Sequence, residues 1–190
     1  MNVREDLFMK KILALVLTLI MLLVSVSAFA EAAYTYSEFS YDETLFEGIG
    51  GEWYGFAEFG VQFYIPDAYA AIEPTEEEAA QGCLMNFANE DRSAVISIAY
   101  GVACDLEGNP IENATDLADF YAAAGMTNVD VIVVNGLPVV CFYIPEHDIV
   151  SYSLVFADAT QCCFSFGPGS DASVATMAGL IMSTLMPLEA

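Results

Sequence analysis

Basic residues are nearly missing from this chain. Its 190 residues include 4 lysines and arginines against 27 aspartates and glutamates, and the net charge is −23. That shortage excludes nucleic acid, whose binding depends on cations that displace phosphate counterions. Anionic membrane surfaces and phosphorylated ligands are repelled for the same reason. A cationic partner is still admissible, although acids that merely solvate the surface are the plainer account.

Imidazole is scarce as well. His147 is the sole histidine. A serine or cysteine triad would need it held by a buried carboxylate and aimed at a nucleophile. It lies beside Asp148 in an expected turn, where a solvated histidine suffices, and no G-x-S-x-G occurs. No C-x-x-C is present, so the ligand set of a structural zinc is lacking. The cysteines are Cys83, Cys104, Cys141, Cys162 and Cys163, an odd number, so one is unpaired or pairs with another chain. All but Cys104 lie in apolar strand-like runs and read as small buried hydrophobes. A bridge to Cys104 is allowed, with no partner assigned. Internal repeats and low-complexity segments are missing too.

One long apolar run is present. Lys10 and Lys11 precede residues 12–26, which only Thr18 and Ser25 interrupt, and Ser27-Ala28-Phe29-Ala30 follows. A positive start, an apolar run and an A-x-A site make a secretory signal. Met9 is the better start, which makes residues 1–8 an extension. A retained anchor is the alternative, but the run is shorter than the ~20 residues that span a bilayer. No cysteine follows it for lipid attachment, and no C-terminal wall-sorting motif occurs. The expectation is a signal peptide at 1–30, cleaved near Ala30, and a soluble product secreted to the extracellular side. Cleavage removes three of the four basic residues and two of the 27 acids. Arg92 then stands alone against 25 acids in a mature chain of 160 residues. That length suits one domain with a real core. The 56% apolar content argues against disorder.

Residues 31–57 read as an acidic, aromatic-rich N-terminal arm, and 58–187 as one α+β domain. The arm carries Tyr34, Tyr36, Phe39, Tyr41, Phe46, Trp53, Tyr54 and Phe56, and Phe59 follows it. Its rings either stack on glycans or, the preferred reading, pack on the core or on a sheet edge. Residues 60–65 alternate as a strand, with 69–72 as its short partner. Thr75 and Glu78 have the spacing of a capping box, and Gly82 stops that helix. Residues 83–88 and 94–100 form a hairpin, and 105–113 a polar loop. Thr115 is expected to cap a helix that ends at Gly125. Residues 129–134 suit a strand buried on both faces. Asn135-Gly136 is the strongest hairpin signal. Strands at 139–144, 150–156 and 161–166 follow. Ser170 is expected to cap a last helix whose apolar stripe is Val174, Met177, Ala178, Ile181 and Leu185. The economical architecture is an antiparallel sheet of about six to eight strands flanked by two or three helices.

The strand "GVQFYIP", the "VNGLPVV" hairpin, the "FSFGPGSD" corner and the closing "IMSTL" helix resemble the PsbP-like fold. That resemblance spans about 58–185 and implies an α/β/α sandwich. The fold includes photosystem extrinsic proteins and small exported bacterial proteins, with assembly, scaffold and binding roles. The motifs are turns and helix faces and carry no catalytic residue, so function from them is analogy. Signal and composition resemble those of a Gram-positive, anaerobic bacterium.

Other constellations are weaker. Asp105, Glu107 and Asn109 offer oxygen ligands at alternate positions, a candidate calcium loop. Pro110 stands where such a loop needs glycine, and a plain polar loop is the better reading. Glu52, Glu58 and Glu146 could belong to a carboxylate pair of a glycosidase, but nothing separates them from surface acids. Gly167-Pro168-Gly169-Ser170 could cradle an anion, with no cation to support it. Asn113-Ala114-Thr115 is a sequon in form only. The function expected is a secreted, non-enzymatic domain that binds or supports an extracellular or envelope component, with no cofactor. A hydrolase using acidic residues and a weak divalent-cation binder are the alternatives. Oligomeric state is not encoded in any motif.

Overall fold

The computed structural model describes residues 34, 36–57 and 59–188. The expected signal peptide, its expected cleavage site and Glu58 lie outside the described residues. Among these residues are eleven strands: β1 (Ser37–Phe39), β2 (Gly51–Phe56), β3 (Val61–Pro66), β4 (Ala70–Ile72), β5 (Cys83–Ala88), β6 (Val95–Val102), β7 (Thr127–Val134), β8 (Leu137–Ile144), β9 (Ile149–Val155), β10 (Thr160–Gly167) and β11 (Met186–Pro187). Three α-helices accompany them: α1 (Glu76–Ala80), α2 (Ala114–Ala123) and α3 (Ala172–Ser183). A 3-10 turn covers Glu43–Phe46.

Eight strands form the main sheet in the order β1-β7-β8-β9-β10-β6-β5-β4. A second sheet has the order β11-β3-β2. The fold is therefore α+β, with two corrections to the expected sheet. It is mixed, because β1 runs parallel to β7. The strand at 61–66 also leaves it to form a separate three-stranded sheet, and β4 pairs with β5 instead. Of the rings in and beside the aromatic segment, Tyr54, Phe56 and Phe59 pack against the core, while Tyr36, Phe39, Tyr41 and Trp53 stay exposed.

Local chemistry explains the elements. Thr75 and Glu78 close the capping box of α1 from both sides. Asn135 and Gly136 take φ of 48° and 81°, as the tight turn between β7 and β8 demands. Two caps fall near their expected positions rather than on them. Asn113, not Thr115, caps α2, and Asp171, not Ser170, caps α3, each through its side-chain oxygen. Asn is a better cap than Thr, which accounts for α2; Ser170 caps as well as Asp171 in general, but its hydroxyl is given to Asp148.

Alternation along β10 divides the core. Cys162, Phe164 and Phe166 enter the layer between the main sheet, the small sheet and α3. Phe63 of β3 meets Phe164 edge to face, with centroids 5.1 Å apart. Burying each such ring contributes about 1.5–3 kcal/mol. Cys163 and Ser165 point to the opposite face, where α2 packs with Val131, Val140, Phe142 and Ile149. Phe142 and Tyr121 of α2 lie 4.1 Å apart there. The alternation of β9 suggests one wet face, yet Ser151 and Ser153 are fully buried. Ser151 pairs with Ser165 at 2.9 Å, which satisfies both hydroxyls beneath the helix layer.

Candidate functional site

The acidic loop is closed on itself. Asp105 Oδ1 accepts from the backbone N–H groups of Glu107 and Asn109, both at 2.8 Å. Its Oδ2 accepts from the Asn109 side chain at 2.8 Å. These bonds, led by Asn109, hold the Asp105 carboxyl below its ordinary pKa. Both Asp105 carboxylate oxygens are thus engaged by the turn. Among the described residues, no group of three or more His, Cys, Asp or Glu is placed to share a metal ion.

The Gly167–Ser170 corner does receive an anion, but an internal one. Asp148 Oδ1 accepts from Ser170 N and Oδ2 from Ser170 Oγ, both at 2.6 Å. Gly169 N donates to the Asp148 backbone carbonyl at 2.6 Å, and the Tyr143 hydroxyl donates to Oδ1 at 2.9 Å. The Ser170 contacts are foremost in lowering the Asp148 pKa. Asp148 serves the corner, and neither Ser170 nor Tyr143 relates it to His147. The His147 backbone N–H closes the turn onto Ile144 O at 3.3 Å. Glu146 and Glu52 are exposed, and Glu52 accepts only a 3.4 Å bond from Tyr54. Asn113 spends both ends of its side chain on Asp116 in capping α2.

All five cysteines are free thiols. Burial raises the Cys83 and Cys163 pKa values to about 11, with Glu78 adding to the first. Burial also raises those of Cys141 and Cys162. Such thiols are inert hydrophobes rather than nucleophiles.

Beneath α2 lies a cavity of about 50 Å³, lined in part by Cys104, Leu117, Tyr121, Gln161, Cys163 and Ser165. Its volume accommodates a water or two, against the roughly 300–1,000 Å³ of a small-molecule site. The Tyr121 hydroxyl donates to Gln161 at 2.9 Å, and burial raises its pKa. No carboxylate lines this cavity.

The outer surface offers more. Tyr41, Phe46, Trp53 and Tyr64 form a ladder of rings over the outward face of the small sheet. Trp53 meets Tyr41 at 6.0 Å and Tyr64 at 5.6 Å, and Phe46 meets Tyr64 at 5.4 Å. Trp53 and Leu45 nevertheless stay 45% and 53% exposed. The 3-10 turn capped by Asp42 carries Leu45 and Phe46. The Tyr64 hydroxyl holds that segment by donating to Ile49 O at 3.0 Å. Around these rings the chain places Asp42, Glu43, Glu47, Glu52 and Asp67, with no cation between 12 and 91. A second apolar hollow, of about 340 Å³, lies between Phe56, Phe59, Leu84 and Tyr100. Sequence reasoning placed the rings on the core or a sheet edge and so missed that several keep an open face. The density of rings among acids in 31–57 was the available signal.

No family model matches the chain, and no curated protein matches it. Among solved structures it is similar to cyanobacterial PsbP (CyanoP) from Synechocystis sp. PCC 6803. The identity is 12% and the TM-score 0.48, over 72% of this chain and 92% of that one. A Bacteroides thetaiotaomicron VPI-5482 crystal structure is similar at 15% identity and TM-score 0.41, over 73% of this chain and 49% of that one. This likeness is one of fold alone. The PsbP-like layout read from the sequence and the first of these structures carry the same name.

Proposed function

We propose that this chain is an exported, non-catalytic binding module, and that its contact face is the aromatic ladder on the small sheet. One observation carries the reading: Trp53 and Leu45 are left about half exposed although partners for burial are at hand in the same cluster. Aromatic residues at an open surface suit recognition of an extracellular or envelope component. The carboxylate-free cavity under α2 favours this over a hydrolase, which needs two acids converging in a cleft. The closed Asp105 loop favours it over a dedicated calcium site.

The test compares immobilised wild type with Trp53→Ser and Leu45→Ser, each checked for a native circular dichroism spectrum. The exported and envelope fractions of the native culture are passed over each. A component retained by wild type and lost by both variants is the expected result. Equal retention by all three would remove the ladder as the contact face.

A further inference from the structure

The strand that carries Trp53 has a free edge. In the small sheet β3 is central, paired with β11 on one side and β2 on the other. Among the described residues no strand pairs with the outer side of β2. Asp67 N donates to Gly50 O at 2.8 Å, and Pro66, which has no N–H, faces Gly51. Antiparallel ladders alternate hydrogen-bonded and open pairs. The backbone groups of Glu52, Tyr54 and Phe56 therefore face β3. Those of Gly51, Trp53 and Gly55 face outward, a repeat of two residues that a further strand could match.

Natural sheets guard such edges with charged side chains, above all lysine, or with proline, a bulge or a covering loop. The β2 sequence Gly-Glu-Trp-Tyr-Gly-Phe contains no lysine or proline, and its register with β3 is unbroken. Its one charge, Glu52, is negative, as are Asp42, Glu43, Glu47 and Asp67 around it. A second copy of this chain would bring the same charges to the seam and be repelled. A cationic strand would be attracted, and its lysines or arginines would reach both the carboxylates and the Trp53 face.

We infer that β2 is an acceptor edge for an extended, lysine- or arginine-bearing segment of a partner protein, which adds as a fourth strand beside Trp53. The inference rests on the proposed binding role and names its partner chemistry. Main-chain hydrogen bonds to Gly51, Trp53 and Gly55 supply affinity, and the charges supply selectivity.

Trp53 is the only tryptophan, so its fluorescence reports on this edge. The probe is an eight-residue peptide of alternating lysine and valine, titrated into the purified chain. Two controls accompany it: the glutamate–valine peptide, and the lysine–valine peptide N-methylated at every residue, which removes the donors on both strand edges. Saturable change with the first peptide, at least tenfold weaker binding of the N-methylated form, and none with the glutamate peptide are expected. Equal binding of the N-methylated form would reduce the effect to surface charge and overturn strand addition. No binding of any peptide, or a dimer in sedimentation that blocks it, overturns it too. Because the variants do not enter this titration, its failure leaves the retention test above to judge the binding role separately.

Discussion

Asn135 performs two tasks that seldom coincide. Its backbone sits at φ 48° in the β7–β8 turn, where asparagine is tolerated far better than branched residues. Its side chain joins the turn to two distant segments. Oδ1 accepts from Tyr41 N at 2.6 Å, and Nδ2 donates to the Ser183 and Leu185 carbonyls at 2.9 and 2.7 Å. Asn135→Asp keeps the turn and the acceptor but loses both donations and sets a negative charge against two carbonyls. Each carbonyl left unsatisfied costs about 1–3 kcal/mol. Urea unfolding is expected to show a loss of about 2 kcal/mol or more, and a loss within error would deny the junction its role. Asp148 permits a test by pH. Hydrogen bonds from Ser170 and Tyr143 lower its folded pKa below the ordinary carboxylate value. Its contribution is then fully present above the unfolded value near 4 and is lost as pH falls through the folded value. Asp148→Asn should flatten that part of the acid limb in a series of melts between pH 2 and 6. An unchanged limb would place the dependence elsewhere.

At the scale of elements, Gly82 shows how one position secures a connection. It ends α1 at φ 88°, and a β-carbon there would run into the Tyr100 carbonyl oxygen. Tyr100 N donates to Gly82 O at 2.8 Å, which starts the β5–β6 pairing. Gly82→Ala combines left-handed strain with a backbone clash and should cost about 1–3 kcal/mol by chemical denaturation. A neutral result would mean that the turn can relax away from β6. Both glycine-dependent ends and the capping box were legible in the sequence, because their chemistry is local. The parallel β1 was not, since its three residues find a partner in β7 almost a hundred positions later. Nor was the burial of Ser151 and Ser153. Alternation reports that two faces differ, and it is blind to a helix laid over the polar one. Of the candidate site, the dense rings could be read directly. Their open face depended on which strand left the main sheet.

For the whole molecule, charge of one sign sets the behaviour. Among the described residues Arg92 is the only lysine or arginine, so repulsion between carboxylates opposes folding with little relief. Salt shortens the reach of that repulsion from about 10 Å at 0.1 M to about 3 Å at 1 M. The melting temperature should therefore rise with sodium chloride over that range. A fall or a flat response would show that local hydrogen bonds already neutralise the surface.

The position of β11 bears on the order in which the chain can assemble. Met186 pairs with Gln62 and Pro187 with Val61, so a strand near the beginning of the described chain waits for one near its end. Protein that emerges N-terminus first cannot finish the small sheet until those last positions are free. The layer under β3 stays open meanwhile, with Phe63 without its full surroundings. Completion is thus a closure across more than a hundred positions, and such closures are slow. The same adjacency brings residues 60 and 188 within one hydrogen bond of 2.7 Å. Joining 188 directly to 60 and opening the chain at the exposed turn near Asp91 would turn this long-range pairing into a local hairpin, but only by omitting β1 and β2, which precede residue 60.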